Sequence, residues 1–143
     1  MPRFRLLLAG CVLLGSVGGA LAQPAGNAEN GADVFKKCRA CHMIGENART
    51  LVGPQQNNLI GRKAGSVEGY SYSPLNKAAG EAGLVWNEQT IFEYLADPNA
   101  FLKKFLTDKG KADQATGSTK MAFKLSDEQD RRDVIAYLKT FTK

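Results

Sequence analysis

Cys38, Cys41 and His42 are the residues whose types and spacing could do chemistry together. The two thiols are three residues apart, and the imidazole follows the second thiol directly. This C-x-x-C-H arrangement is typical of c-type haem attachment, in which the thiols form thioether bonds and the histidine is an axial ligand of the iron. Residues three apart share one face of a helical turn, so both thiols can meet one rigid macrocycle. The pattern predicts one covalent haem c.

Three other interpretations of these residues stay open, and each lacks something in the sequence. A zinc site needs four ligands, but the third cysteine, Cys11, lies in a segment that we expect to be removed. A redox dithiol needs a strand–helix–strand setting, which the pattern around Cys38 does not provide. A structural disulfide would make no use of His42, the only histidine in the chain.

Residues 1–22 have the pattern of a cleaved secretory signal peptide. Arg3 and Arg5 form a basic start, an apolar stretch follows, and residues 20–22 read Ala-Leu-Ala, a small-residue cleavage site. The apolar stretch is short for a membrane span. Two alternatives stay open, namely acylation of Cys11 in a lipoprotein-like motif and retention of the segment as an anchor. We expect export to the periplasm, where haem can be attached to reduced thiols.

The remaining residues, 23–143, have the length of one domain. Removal of two arginines with the signal peptide leaves 17 basic and 14 acidic side chains, which gives a net charge of +3. This small excess gives no reason to expect a nucleic-acid partner. We expect a monomer.

The mature chain has the patterns of helices and loops, with essentially no sheet. Apolar spacing and capping residues predict an all-α fold. The helices are expected at about residues 29–37, 73–79, 88–96, 99–106 and 126–140. The last one should begin with a capping box formed by Ser126 and Gln129. The Gly- and Pro-rich stretch 45–69 is expected to be a long loop, which in a small domain is usually functional. A polar surface excursion is expected over 107–118.

A second axial ligand is required because electron-transfer haems keep both axial positions filled. Met1 leaves with the signal peptide, and Met43 adjoins His42 and cannot reach the opposite face of the iron. Met121 lies in a polar loop far from His42 in sequence, as a ligand from the other side should. We therefore predict His42 and Met121 as ligands, and a thioether ligand raises the reduction potential. An ordinary core methionine and a lysine ligand are the alternatives.

Further motifs follow in order between residues 28 and 143. They are Gly53-Pro54, Gly61-Arg62-Lys63, Tyr72, Asn76, Trp86, Tyr94-Leu95, residues 119–123 and residues 133–138. With these motifs and the haem motif, the chain resembles the class I cytochromes c, of the bacterial cytochrome c2 type related to the mitochondrial protein. The resemblance implies the class I fold, in which N- and C-terminal helices cross and short helices and long loops wrap one haem.

The resemblance also implies roles for side chains around the haem. The Pro54 carbonyl should accept the Nδ1–H of His42, which fixes the ring and raises its basicity as a ligand. Tyr72 and Trp86 should donate to one haem propionate, with Arg62 nearby to offset its charge.

Other implied roles concern the methionine side of the haem. Tyr94 should donate to the Met121 sulfur, and Asn76 and Thr119 should lie near a buried water or propionate. Phe123 should cover the haem at its exposed edge.

Helix packing is implied as well. Gly31 and Phe35 on the first helix should pack against Val134, Tyr137 and Leu138 on the last.

Two features depart from the family's pattern. Gln56 stands where a leucine normally packs on the haem. Residues 99–118 form a longer stretch than in the mitochondrial proteins and resemble the insertion of the long cytochromes c2.

The resemblance implies an electron carrier and not an enzyme, because filled axial positions leave no site for O₂ or a substrate. The expected role is a soluble periplasmic shuttle from a bc1-type complex to a photosynthetic reaction centre or a terminal oxidase. A dedicated acceptor for a periplasmic dehydrogenase and a haem enzyme with an open iron are the alternatives.

Basic side chains are expected to ring the exposed haem edge. The candidates are Lys36, Lys37, Arg39, Lys63, Lys103, Lys104, Lys120 and Lys124. Such a ring would steer the carrier to acidic patches on membrane complexes, at rates that fall as salt rises.

Overall fold

The structure is a computed structural model, and it describes residues 24–143. The signal peptide predicted over residues 1–22, and its alternatives at Cys11, lie outside the described residues. Among residues 24–143, none of the helices combines the length and the apolar composition that a membrane span requires.

Five α-helices joined by loops make up the described chain. They are α1 (Ala28–Phe35), α2 (Pro74–Glu81), α3 (Glu88–Ala96), α4 (Pro98–Asp108) and α5 (Glu128–Lys139), with 3₁₀ turns at Lys36–Cys38 and Ala112–Gln114. Within residues 24–143, one isolated antiparallel bridge between Lys63 and Val85 is the only β pairing. The predicted all-α fold is confirmed.

Each α-helix begins at a residue whose side-chain oxygen accepts the backbone N–H three residues later, which satisfies an otherwise unpaired donor. These capping residues are Asn27, Ser73, Asn87, Asp97 and Asp127. The predicted start of the last helix at Ser126, with Gln129 in a capping box, is wrong. Asp127 caps α5 because its carboxylate reaches the Asp130 N–H at 2.8 Å.

The α4 helix is longer than the sequence pattern predicted. It includes Pro98, whose fixed backbone angle suits the first helical position, and it continues to Asp108. The surface excursion expected from residue 107 therefore starts later, and part of it forms the 3₁₀ turn Ala112–Gln114.

The first and last helices pack closely against each other. A Cβ atom on Gly31 would lie 2.0 Å from the Asp133 carbonyl oxygen, so only glycine permits this approach. The rings of Phe35 and Tyr137 are 5.6 Å apart. This contact fixes the end of α1, and the chain turns from there into Cys38.

Helix α4 packs against α2 and α3 on a second part of the core. Its Leu102 and Leu106 side chains have no exposed surface. Burial of a leucine contributes about 1.5–3 kcal/mol, so these two residues hold α4 firmly. The loop that carries Met121 follows α4 and is placed by it.

Candidate functional site

A cavity of about 360 Å³ adjoins the contact between α1 and α5. Its lining includes all twelve side chains that the sequence predicted to hold or contact the cofactor. They are Cys38, Cys41, His42, Pro54, Arg62, Tyr72, Asn76, Trp86, Tyr94, Thr119, Met121 and Phe123. Apolar side chains such as Leu59, Ile91 and Leu95 complete the wall. Residues from the whole length of the described chain therefore meet at one place.

The two thiols lie on a tight turn that follows α1. The backbone N–H groups of Cys41 and His42 both donate to the Cys38 carbonyl oxygen, at 3.1 and 2.9 Å. Both thiols are free and partly buried. Burial raises the pKa of Cys38 to about 11, against a smaller opposing effect of the Lys37 charge. Cys38 is therefore a neutral thiol at neutral pH.

His42 is held by the loop that follows the thiols. Its Nδ1 atom lies 2.7 Å from the Pro54 carbonyl oxygen. Burial lowers the pKa of His42, and the hydrogen bond to Pro54 opposes this shift. A Cβ atom on Gly53 would lie 2.3 Å from His42 Cε1, so the ring lies against backbone that has no side chain. The imidazole is therefore neutral and fixed in orientation, which suits a metal ligand.

Met121 lies in a loop that backbone contacts hold in place. Its N–H donates to the Thr119 hydroxyl at 3.3 Å, and the Thr119 N–H donates to Asn99 Oδ1 at 2.8 Å. Further along, the Leu125 N–H donates to the Leu95 carbonyl at 2.8 Å. The sequence did not indicate Asn99, because its partner lies 20 residues away.

Arg62 places a positive charge at the cavity wall. Its Nη1 donates to the carbonyl oxygens of Gln55 and Asn57, at 3.1 and 3.2 Å. Burial lowers the pKa of Arg62, and its interaction with Tyr72 opposes this shift. Trp86 is buried and lines the same cavity. In the described part of the chain, the hydrogen-bond partners of the Arg62 guanidinium are carbonyl oxygens. Its positive charge can therefore pair with an anionic group such as a propionate.

The Tyr94 side chain lines the cavity together with Thr119 and Asn76. Burial raises the pKa of Tyr94, and hydrogen bonds with Thr119 and Asn76 act against that rise. Tyr94 therefore contributes to the polar group beside the Met121 loop.

Half of the predicted basic ring is engaged with acidic side chains. Lys36 and Asp33, Lys37 and Asp130, Lys104 and Asp108, and Lys124 and Asp97 form salt bridges of 2.5, 2.7, 2.5 and 2.6 Å. Lys37 and Lys120 line the cavity. Lys120 donates to the Ser71 carbonyl oxygen at 2.5 Å. The unpaired positive charge of the predicted ring is therefore smaller than the sequence suggested.

Apolar side chains are exposed near the mouth of the cavity. Val52 is 73% exposed and Phe123 is 42% exposed, and both line the cavity. Phe123 was predicted at this edge, whereas Val52 was not, because nothing local in its sequence marks it.

The chemistry of this cavity fits a covalent haem. Two free thiols one turn apart, a neutral imidazole, a thioether and a partly buried cation line this cavity. Across residues 24–143, no group of three or more His, Cys, Asp or Glu side chains could hold a metal ion. A structural zinc site needs four ligands, whereas Cys38, Cys41 and His42 supply three at this cavity.

Comparison with known proteins supports this interpretation. The family model described as cytochrome c matches residues 28–142. Cytochrome c2 of Rhodopseudomonas palustris is 62% identical over 114 residues, which cover 80% of this chain and 97% of that protein. Cytochrome c2 iso-1 of Rhodospirillum centenum is 59% identical over 117 residues, or 82% of this chain and 98% of that protein.

A solved structure agrees with the sequence matches. The structure of cytochrome c2 from Rhodospirillum centenum has a TM-score of 0.81 and 58% sequence identity, and the match covers 82% of this chain and all of that one. The twelve cavity residues lie within the part that the family model matches. The chain therefore belongs to the cytochrome c family, as a class I c-type cytochrome of the c2 type, and is an electron carrier with one covalent haem c rather than an enzyme.

Proposed function

We propose that this chain carries single electrons in the periplasm, with His42 and Met121 as the two axial ligands of the haem iron. The bound haem supplies the one-electron couple. The observation that carries the proposal is that His42 and Met121 line the same cavity as Cys38 and Cys41. Filled axial positions keep the ligand geometry nearly unchanged between the two oxidation states, which favours outer-sphere electron transfer.

The other cavity residues bind and shield the cofactor. Pro54 orients His42 through its carbonyl oxygen and raises the basicity of the ring. Arg62, Tyr72 and Trp86 form a polar wall for the haem propionates. Their partly buried position keeps water away from the charged groups, which strengthens each electrostatic contact.

The methionine side is held by a polar group of its own. Asn76, Thr119 and Tyr94 line this side of the cavity, and the Thr119 hydroxyl accepts the Met121 N–H. Phe123 covers the mouth of the cavity, where partners approach.

The proposed partners are membrane redox complexes, namely a bc1-type donor and a reaction centre or terminal oxidase as acceptor. Lys120 lies at the cavity wall, and Arg39 follows Cys38 directly. These charges would steer the carrier to acidic surfaces and leave a short-lived complex. Residues 1–22 would direct export and be removed before Gln23, which the N-terminal sequence of the mature protein would test.

Substitution of each methionine tests the ligand assignment. Met121→Ala should abolish the weak red absorption band of a thioether-ligated ferric haem and open the iron to carbon monoxide. Met43→Leu is the matched control, because this methionine adjoins His42 and should leave the spectrum unchanged. Loss of the band in Met43→Leu with its retention in Met121→Ala would contradict the proposal.

Rapid-mixing kinetics tests the partners. The reduced and oxidised protein is mixed in turn with a bc1-type complex, an oxidase, a reaction centre and a periplasmic dehydrogenase. Fast transfer from the bc1-type complex and to one of the two acceptors is expected. Fast reduction by the dehydrogenase alone would assign the chain to that enzyme instead.

A further inference from the structure

Gln56 lies against the hydrogen bond that orients His42. Its Nε2 atom is 2.9 Å from the Pro54 carbonyl oxygen and 2.8 Å from His42 Nδ1. The Nδ1 atom is itself 2.7 Å from the same oxygen. The three atoms therefore form a closed triangle, with one acceptor shared by two nitrogens.

The protonation of the imidazole decides what this triangle does. When Nε2 of His42 is a ligand, the ring proton is on Nδ1, so Nδ1 is a donor. The Gln56 amide nitrogen is also a donor. Both nitrogens must therefore donate to the Pro54 oxygen. This oxygen has two lone pairs and can accept both bonds, but the two donors share one carbonyl dipole, so each bond is weaker than it would be alone. At 2.8 Å, the two donor nitrogens also crowd each other.

We propose that Gln56 is a positioning residue that raises the reduction potential by weakening the hydrogen bond from His42 to Pro54. The inference rests on the proposed axial role of His42. A strong bond from Nδ1–H to the carbonyl makes the imidazole more basic, and a more basic ligand stabilises the ferric state. Gln56 also donates to this carbonyl, which weakens the hydrogen bond from His42. The imidazole therefore stays less basic, and the ferrous state is stabilised relative to the ferric state.

The orientation of the Gln56 amide is consistent with this direction. The reversed amide would let Oε1 accept the Nδ1–H but would set it 2.9 Å from the Pro54 oxygen, so one of its two contacts would be unfavourable as well. The observed orientation instead gives the Pro54 oxygen a second donor. The partly buried position of Gln56 makes such contacts stronger than they would be in water.

An apolar residue at this position has two effects of opposite sign. Loss of the amide frees the Pro54 carbonyl, which lowers the potential. A more apolar cavity wall disfavours the more highly charged ferric state, which raises the reduction potential. The direction of the change therefore separates the proposed role from plain packing against the haem.

Redox titration of Gln56→Leu and Gln56→Met in the mature, haem-loaded protein tests the proposal. We expect both variants to shift the redox equilibrium about twofold towards the ferric form. This shift lowers the reduction potential by roughly 18 mV, because a tenfold change in a one-electron equilibrium corresponds to 59 mV. Gln114→Leu is the matched control, since this exposed glutamine lies in the 3₁₀ turn Ala112–Gln114 and does not line the cavity. It should leave the potential unchanged.

Proton NMR of the reduced protein gives a second readout. The His42 Nδ1–H resonance should move downfield in both Gln56 variants, because its hydrogen bond strengthens. The red ferric band must persist, which keeps this test separate from the axial assignment. A potential that rises in the Gln56 variants, or an Nδ1–H resonance that stays in place, would overturn the proposal.

Discussion

The side chain of Asn99 holds the backbone of Thr119. Asn99 Oδ1 accepts the Thr119 N–H at 2.8 Å, and Thr119 lies two residues before Met121. On the other side of Met121, Lys124 pairs with Asp97 at 2.6 Å. Because Asp97 and Asn99 both lie at the start of α4, one helix end holds the Met121 loop from both sides.

We predict that Asn99→Ala makes Met121 easier to displace from the iron. The variant leaves the Thr119 N–H without its partner, and a lost hydrogen bond of this kind costs about 1 kcal/mol. Exogenous imidazole should therefore bind the ferric protein about fivefold more tightly. Lys103→Ala is the control, because this exposed residue is on the same helix and its side chain makes no described contact with the loop. Equal imidazole affinities in the two variants would count against the role of Asn99.

A second prediction concerns the acid sensitivity of the same helix end. The ion pair with Lys124, together with the Ala100 N–H, holds the pKa of Asp97 below its ordinary value of 3.8. A lowered carboxyl pKa stabilises the folded state above the ordinary value, and this contribution is lost as pH falls through the folded value. Asp97→Asn keeps a capping oxygen but lacks this charge.

Thermal unfolding measured from pH 7 down to pH 3 checks this prediction. Asp97→Asn should be less stable than the natural chain at pH 7, and the gap should narrow as the pH falls below 4. Asp33→Asn is an informative control, since the pKa of Asp33 is also lowered, by Lys36. Its stability gap to the natural chain should also narrow as the pH falls below 4. A gap for Asp97→Asn that stays constant with pH would rule out the ion pair as its cause.

Local features made much of the site predictable from sequence. The Cys-x-x-Cys-His motif is five consecutive residues, and caps such as Ser73 and Asn87 act within three residues. Met1 and Met43 could be excluded as the second axial ligand, which left Met121 among the methionines. The structure brings these residues to one cavity, but their haem contacts stay predictions.

Features that depend on distant partners were not predictable. Lys37 pairs with Asp130 across 93 residues, so a count of lysines overstated the free charge. The start of α5 was misplaced because Ser126 and Asp127 are both good caps, and only the fold decides which one reaches the helix. Gln56 was noticed as unusual, yet its contact with His42 depends on the path of the loop.

Lys120 should contribute more to docking than a lysine far from the cavity. Lys120 lines the cavity, whereas Lys111 does not. Lys120→Gln and Lys111→Gln remove the same charge, so net charge cannot explain a difference between them. At low salt, Lys120→Gln should slow electron transfer with a membrane partner severalfold and Lys111→Gln should have little effect, because steering depends on the charge near the contact.

Measurement of these rates over a range of ionic strengths completes the test. The natural chain should slow as salt rises, and the deficit of Lys120→Gln should shrink, because salt screens the charge that was removed. Rates that do not respond to salt, or equal effects of the two substitutions, would refute docking at this edge.

The haem-free chain should lose its fixed tertiary structure. The cavity of about 360 Å³ is lined by core side chains such as Leu59, Ile91 and Leu95, which lose their packing partner and are exposed to water when no haem fills it. A chain with both Cys38→Ser and Cys41→Ser cannot attach haem and should therefore lose its near-UV circular dichroism while it keeps much of its helix signal. Cys38→Ser alone, which retains one thioether site, is the control and should keep more tertiary signal. Cooperative thermal unfolding of the haem-free double variant would show instead that α1, α5 and the loops form a sufficient core without the cofactor.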